Sequence, residues 1–599
     1  MQLLHMIHVR HVRITRIWSQ AYALKVFFAG AALACLTPLT ACSQNEDGSR
    51  STRRAIAQSQ AIAEDFLRTE LALSPEKASR LNMEDELGRL TAFALDNHSQ
   101  AGFERRRLVR IELLQRLRQR PQLPDGHPLA LDLLIAETAL TDLIALEQFG
   151  YGRHSYASQR PYAIDPYSGV WIEGPYLLAY RQTINTPDDA AAYIARLRSL
   201  SEALQDTRRR LIADQAAGIY LPKNLGTETQ RRMSRLIERD PSGLDLIATT
   251  FEALTLDVPD LGFEQRTQMV SLVRSEVEEV LRPAYLNLVL TLDDTSDAFS
   301  DQAGIWALPQ GPRLYAAILR AAVGAEITTD RLHQRYTDEV AALNAAFQSS
   351  LVLPTEPGES DSAPIDPGPE RLSSRIAWFN DAQQTPTASA DLLSDAPATE
   401  ILKLLAPQSP WQRVSASTQF EAQIDSNSRL ADLLNLEPYA EWQQASDLTP
   451  LRMIMDYSAI VDAWRMYAWK QQSPLEDVLA QIADQRVALI QMTLAAADTG
   501  LHLERWTLPE ATDFIAVNTG LNEPLSRQLA LSVMAKPGHH AATASALQTM
   551  EALSLRAKAV LGERYSETDF QRALIAPGPR PLPLIEFDIE TWYGERLAN

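Results

Sequence analysis

The sequence predicts a mainly α-helical protein, a large scaffold of many helices. The chain has 599 residues, of which 45% are hydrophobic and 22% are charged, so it is long enough to bury a sizeable core. Glycine is sparse at 24 residues, while Ala, Leu, Arg, Glu and Gln are abundant, and this composition favours helices over strands. Capping boxes that begin at Thr186, Ser473 and Thr507 mark helix starts directly in the sequence.

Residues 1–41 predict a lipoprotein signal peptide. Residues 1–25 contain basic residues and no acidic one, and residues 26–39 form an apolar run that is too short to span a bilayer. The next residues, Leu39-Thr40-Ala41-Cys42, resemble the lipobox of bacterial lipoproteins. We therefore expect Cys42 to be the lipid attachment site and the first residue of the mature chain. An ordinary signal peptide or a short membrane anchor is the alternative.

The remaining chain divides by composition. Residues 42–53 are small and polar and predict a flexible tether, and residues 54–350 form an N-terminal helical lobe. In this lobe, the helix after Thr186 is predicted to have one apolar face, formed by Tyr193, Ile194, Leu197, Leu204 and Leu211. Residues 351–400 are rich in Pro, Ser and Asp and predict a linker or an exposed insertion.

A C-terminal helical lobe is expected over residues 401–599. Gly500, Gly520 and Gly562 stand where helices in this lobe should end, because glycine is the preferred residue just beyond a helix. The two lobes need not be independent domains, since helices from both could share one core.

Charge and cysteine content limit the partners. The formal net charge is −20, so nucleic acid is not an expected partner. The two cysteines, Cys35 and Cys42, both lie near the amino terminus, and the body can have no disulfide framework.

Two surface candidates allow a structural and a binding interpretation. The basic run over 104–120 predicts a solvated, ion-paired helix face, or alternatively a face for anionic lipid. The aromatic stretch 149–156, with Tyr162 and Tyr167, predicts a loop fixed by packed rings whose hydroxyls reach water. The alternative is a groove for an extended peptide or glycan.

Several blocks of the chain, in order, resemble the bacterial family called domain of unknown function 885, whose members are similar to zinc peptidases of helical architecture. The blocks include residues 73–78, 161–169, 193–197, 304–311 and 498–502, followed by Trp506. The resemblance implies a peptidase-like helical scaffold of two lobes.

The zinc site that this family implies is degenerate in the sequence. Family members carry a His-Glu-x-x-Pro-Gly-His-His segment, whose imidazoles hold zinc and whose carboxylate polarises the attacking water. The corresponding residues 429–438 read RLADLLNLEP and contain no histidine. The family's further zinc-ligand carboxylate corresponds to Asp462, and a downstream glutamine corresponds to His539. The sequence therefore predicts no cofactor and no catalytic residues.

Five residues remain as candidates for a residual pocket: Asp462, Asp498, His502, His539 and His540. Asp498 and His502 flank Gly500, so they are expected to bracket a helix end and to close it by hydrogen bonds. An acid-base pair is the alternative. His539 and His540 are expected to begin a helix after Gly538, with a metal or proton-transfer role as the alternative.

Three functions follow as hypotheses. The first is a lipid-anchored envelope protein, expected on the outer membrane facing the periplasm, whose inactive body binds a peptide or a protein. The second is an active hydrolase that uses rearranged metal ligands, with zinc as cofactor, or metal-free acid-base residues. The third is a structural envelope lipoprotein.

Overall fold

The computed structural model describes residues 41–81, 83, 90–156, 158–238, 243–350, 448–471 and 478–598. The predicted linker over 351–400, the capping box at Ser473 and the degenerate segment 429–438 lie outside these residues. The chain divides into two compact units, residues 1–57 and 58–599. The predicted lobe boundaries and the lipid attachment at Cys42 stay predictions.

The described residues are overwhelmingly helical, which confirms the predicted fold class. In the first half, the helices are α1 (Ala41–Leu73), α2 (Pro75–Arg80), α3 (Gln100–Arg118), α4 (Pro128–Glu147), α5 (Val170–Tyr180), α6 (Pro187–Ala216), α7 (Lys223–Ile237), α8 (Asp245–Leu254), α9 (Phe263–Ser275), α10 (Arg282–Asp294), α11 (Gly311–Val323) and α12 (Leu332–Ser350). In the second half they are α13 (Pro450–Met453), α14 (Ser458–Gln471), α15 (Val478–His502), α16 (Leu508–Thr519), α17 (Glu523–Ala535), α18 (His539–Leu561), α19 (Glu567–Ile575) and α20 (Leu582–Ala598).

Short elements complete the described fold. A π-helical stretch, Glu276–Leu281, joins α9 to α10, and 3₁₀ turns cover Leu90–Phe93, Ser296–Ala298, Ile305–Ala307 and Gly562–Arg564. Strands β1 (Arg153–His154) and β2 (Gln159–Arg160) form an antiparallel hairpin in which Arg153 pairs with Arg160. No helix in the described part of the chain is both long enough and apolar enough to cross a membrane.

Local signals in the sequence set several helix ends. The hydroxyl of Thr186 accepts from the amide of Asp189 at 3.2 Å, and the Asp189 carboxylate accepts from the Thr186 amide at 2.9 Å. The same reciprocal pattern joins Thr507 to Glu510, so both described capping boxes are confirmed. Gly520 and Gly562 follow the last residues of α16 and α18, as predicted.

The predicted tether at 42–53 is helical, because these residues form the first part of α1. Once a helix has nucleated, each residue added to it gains one backbone hydrogen bond. Residues of low helix propensity can therefore extend it. The polar composition that indicated a tether therefore did not prevent helix formation.

A single hydrophobic cluster runs through the larger unit and joins buried residues from Phe66 to Ile589. Helix α12 packs on α15, and α14 packs on α18. The predicted buried face of α6 is confirmed, because all five of its residues are buried. Helices from both halves of the sequence thus share one core.

Polar contacts between distant segments reinforce this shared core. Asp132 on α4 accepts from the guanidinium of Arg452 at 3.2 Å and from the hydroxyl of Thr449 at 2.8 Å. Arg160 donates to the backbone carbonyl of Ala535 at 3.0 Å. Because these groups are largely buried, each partner is needed to satisfy the other.

The basic helix α3 is ion-paired, as the sequence predicted, but one of its arginines is not solvated. Arg110 is buried and donates to both carboxylate oxygens of Glu70 at 3.0 Å, and it also donates to Glu147. The other pairs are Arg116 with Asp65 and Glu112, and Arg118 and Arg120 with Glu137. The buried position of Arg110 corrects the prediction of a wholly exposed face, since two buried carboxylates need a cation.

The aromatic stretch is a packed loop, which confirms the structural interpretation of its rings. The hydroxyls of Tyr151 and Tyr167, however, do not reach water as predicted. Tyr151 donates to the carbonyl of Pro309 at 2.6 Å, and Tyr167 donates to the carbonyl of Gln528 at 3.1 Å. Once these two rings are buried, their hydroxyls need partners inside the protein, and backbone carbonyls of distant segments supply them.

Candidate functional site

The five candidate residues gather around the first turn of α18. Asp462 lies on α14, Asp498 and His502 lie on α15, and His539 and His540 are the first two residues of α18. All five side chains are buried, with exposed fractions of 5% or less. Helix α18 begins after Gly538, as the sequence predicted, and packs against both α14 and α15.

Asp498 caps α18 from a neighbouring helix. Its Oδ1 atom accepts from the Gly538 amide at 2.8 Å and from the Tyr315 hydroxyl at 3.0 Å. Its Oδ2 atom accepts from the Ala541 amide at 3.1 Å. Gly538 has no side chain with which to cap the helix, so Asp498 satisfies amides that would otherwise lack partners and places a carboxylate at the positive end of the helix dipole.

Gly538 is required at this position by both conformation and space. Its φ of 76° lies in the left-handed region, where glycine is favoured. A Cβ atom there would lie 2.7 Å from the Ile318 Cγ2 atom. The close approach of α18 to α11 therefore depends on this residue.

Burial raises the pKa of Asp498 to about 7, although the amides of Gly538 and Ala541 and the hydroxyl of Tyr315 act in the opposite direction. A buried carboxyl with such a pKa resembles a general base. The hydrogen bonds give the group a different role, because both of its oxygens accept from groups that hold the fold together.

His502 is a neutral imidazole with a fixed tautomer. Its Nδ1 atom accepts from the Ile305 amide at 3.2 Å, so the proton resides on Nε2, which faces the Val533 carbonyl at 3.4 Å. Burial lowers the pKa of His502 to about 4. The His502 Nε2 atom lies 4.0 Å from the Asp498 Oδ1 atom, beyond hydrogen-bond distance.

The prediction that Asp498 and His502 bracket a helix end is wrong. Asp498 lies inside α15, and His502, one turn later on the same face, is the last residue of this helix, so both precede the helix end. Gly500 is therefore not a helix stop. A Cβ atom at Gly500 would lie 2.4 Å from the Trp506 indole ring, so this glycine allows the indole to pack directly on the helix.

Asp462 and His539 form a second buried pair. The His539 Nε2 atom lies 3.1 Å from the Asp462 Oδ2 atom, and the Arg465 guanidinium lies 3.4 Å from the Asp462 Oδ1 atom. Burial raises the pKa of Asp462, while the positive charges of Arg465, Lys536 and His540 oppose that rise. The pair joins α14 to the first turn of α18.

The described donors do not fit a zinc site. A catalytic zinc ion needs three protein ligands whose lone pairs converge on one point. The oxygens of Asp498 accept from three hydrogen-bond donors, and the free lone pair of His502 faces the Ile305 amide. Among the described residues, no group of three His, Cys, Asp or Glu side chains is placed to hold a metal ion.

Sequence reasoning missed two buried charged groups, Lys77 and Asp456, whose charges influence each other electrostatically. The Lys77 ammonium donates to the Ile454 carbonyl at 3.0 Å and lies 4.7 Å from the centre of the Tyr156 ring. Burial lowers the pKa of Lys77 to about 8, and burial raises the pKa of Asp456. No spacing rule connects residues 77 and 456, so a single sequence gives no signal for this pair.

The cavity beside Asp456 is small. It is lined by Tyr156, Gln159, Asp456 and Tyr457, among others, and has a volume of about 10 Å³, room for one water molecule. A substrate could enter only if the surrounding side chains moved.

Comparisons with known proteins match most of the chain to a bacterial family. The family model described as "Bacterial protein of unknown function (DUF885)" matches residues 75–393 and 439–589. No curated protein sequence matches the chain.

Two solved structures have the same fold. A "putative lipoprotein" from Colwellia psychrerythraea has a TM-score of 0.71 at 18% identity, and the match covers 90% of this chain and 100% of that one. A "putative lipoprotein of unknown function" from Shewanella oneidensis has a TM-score of 0.61 at 12% identity, with 88% and 99% covered.

Proposed function

The chain belongs to the bacterial family of unknown function DUF885, and on that premise we propose that it is a lipid-anchored envelope protein whose body binds a peptide or another protein without hydrolysing it. The anchor in this proposal is a lipid on Cys42, and the location is the outer membrane, facing the periplasm. The lipobox-like residues 39–42 support the anchor.

The hydrogen bonds that already occupy Asp498 and His502 are the main support for the proposal. A general base or a metal ligand needs a lone pair directed at the reacting group. The Asp498 carboxylate instead accepts from the amides that begin α18, and the His502 Nδ1 atom accepts from the Ile305 amide. We interpret these side chains as parts of the scaffold.

A binding role at the surface agrees with the small size of the cavity beside Asp456, which leaves little room for a peptide. The cavity beside Asp456 admits only about one water molecule, so a peptide would meet the surface of the body first. A lipid anchor would hold that surface at the membrane, where an encounter with a partner is confined to two dimensions.

Metal content and hydrolysis test the absence of catalysis. The full chain is purified in a mild detergent, dialysed, and analysed for zinc by mass spectrometry and for cleavage of a peptide mixture. We expect neither bound zinc nor cleavage. The control variant is His127→Ala, because His127 only caps α4. About one zinc ion per chain, lost in His502→Ala or His539→Ala but kept in His127→Ala, would show an active metal site and end the proposal.

Lipid labelling tests the anchor. We expect the wild-type chain to incorporate a labelled fatty acid and to fractionate with membranes, and Cys42→Ser to do neither. Equal labelling of both chains would exclude Cys42 as the attachment site.

Selection from a random-peptide library tests the binding role. We expect a family of peptides to be enriched and to bind the purified chain in solution. If no peptide binds, and loss of the chain weakens the envelope, a structural lipoprotein replaces the binding role.

A further inference from the structure

Three large apolar side chains are exposed on the loop between α8 and α9 and on the helix residues that flank it. Helix α8 ends at Leu254, and α9, which packs against it, begins at Phe263. The exposed fractions are 36% for Leu254, 58% for Leu256 and 78% for Phe263. One exposed apolar residue is ordinary, but three within ten residues concentrate apolar surface in the way that binding sites do.

Carboxylates accompany these side chains on the same loop. Asp257, Asp260 and Glu264 are exposed, and none forms an ion pair with any residue that the structure describes. The nearby Arg266 guanidinium lies 5.8 Å from the centre of the Phe263 ring, where it covers part of the ring and leaves the carboxylates unpaired.

The backbone at Asp260 adopts a conformation that is uncommon outside glycine. Asp260 has a φ of 64°, in the left-handed region that favours glycine, whereas Gly262 two residues later has an ordinary φ of −63°. The chain thus holds a charged residue where glycine would be less strained.

We propose that this acidic loop patch, formed by Leu254, Leu256 and Phe263 with Asp257, Asp260 and Glu264, docks a basic amphipathic segment of a protein partner. Apolar side chains of that segment cover Phe263 and the two leucines, and its Lys or Arg residues pair with the three carboxylates. This docking site deepens the proposed binding role and rests on it.

The two kinds of contact have different consequences for binding. Phe263 is the most exposed of the three apolar side chains of the patch and acts as the anchor. Its truncation therefore weakens binding about tenfold or more. The rim carboxylates steer association, so removal of one weakens binding a few-fold and reduces the dependence on salt.

The test measures binding of a fluorescent, helical peptide of leucine and lysine to the full chain in detergent. The variants are Phe263→Ser and the matched control Phe587→Ser. Phe587 is exposed by 65% on α20, but the neighbouring carboxylates of Asp588 and Glu590 are paired with arginines. We expect Phe263→Ser to weaken binding about tenfold and Phe587→Ser to leave it unchanged. Equal effects of the two substitutions, or no effect of Phe263→Ser, would overturn the docking site.

A third variant separates docking from loop stability. Asp260→Gly relieves the backbone strain, so we expect it to raise the unfolding temperature and still weaken peptide binding. Unchanged binding would exclude the Asp260 carboxylate from docking.

Other occupants and the proposed function itself are distinguished by additional outcomes. If Phe263→Ser abolishes self-association in sedimentation, the patch contacts a second copy and the proposal fails. If Phe263→Ser instead abolishes binding of the chain to phosphatidylcholine vesicles, the patch is a membrane contact and the proposal also fails. If library peptides bind Phe263→Ser as tightly as they bind the wild-type chain, only the docking site fails and the binding role stands.

Discussion

Replacement of Asp498 by alanine should destabilise the fold more than any other single change in the candidate cluster. Three donors lose their acceptor at once: the amides of Gly538 and Ala541 and the hydroxyl of Tyr315. The site is fully buried, so water cannot replace the carboxylate without opening the helix junction.

The magnitude follows from the number of donors. A buried donor that is left without an acceptor costs about 1–3 kcal/mol, so three donors give roughly 5 kcal/mol when partial relaxation is allowed. Asp498→Asn keeps the oxygen that accepts from Gly538 and Tyr315, and it turns an amide group toward the Ala541 N–H. We expect a loss of about 2 kcal/mol for this variant.

Urea unfolding of the full chain in a mild detergent, followed by circular dichroism, measures both values. Asp513→Ala serves as the control, because Asp513 is an exposed residue of α16 and should change stability by less than about 0.5 kcal/mol. If Asp498→Ala is as stable as the control, or if the alanine and asparagine variants are equally destabilised, Asp498 is not the cap of α18.

Three further predictions concern other buried contacts. Gly500→Ala should lower stability by about 1–3 kcal/mol in thermal unfolding because its methyl group would overlap the indole packed on it, whereas Gly594→Ala, in open space on α20, should be neutral or stabilising. Burial lowers the pKa of His98, but the carboxylates of Glu76 and Asp96 together raise it to a net increase, so the charged imidazole contributes its full stabilisation just below pH 6.5. The loss on His98→Leu should therefore shrink as the pH of urea unfolding rises above that value, and a pH-independent loss would exclude this pair. Arg110→Met should cost about 3–5 kcal/mol in the same assay, because two buried carboxylates lose their cation, and a loss below 1 kcal/mol would contradict the buried ion pair.

Local chemistry allowed the helical framework to be predicted. A capping box places its own partners three residues apart, so Thr186 and Thr507 identified helix starts without knowledge of the rest of the fold. The start of α18 after Gly538 was predictable for the same reason, since a glycine at a helix boundary acts through its own backbone.

Tertiary packing decided the residues that sequence reasoning misplaced. Gly500 satisfies the rule for a helix stop, but its role depends on the Trp506 ring, and nothing in the local sequence shows that the ring packs there. The five candidate residues lie around the start of α18, whereas the sequence named them only as candidates for a residual pocket and gave them no common position. Their hydrogen-bond partners, such as Tyr315 and Ile305, come from other elements and could not be assigned from spacing.

The contacts between residues far apart in sequence determine when, during synthesis, the native core can form. Synthesis proceeds from the amino terminus, so Asp132 emerges 320 residues before Arg452, and Lys77 emerges 377 residues before the Ile454 carbonyl. Until then, Asp132 and Lys77 lack these native partners, and the part of the core that they join can close only late. A nascent chain of this protein must therefore be kept from aggregating for most of its synthesis, and a premature stop codon before residue 448 would leave a product that proteases remove.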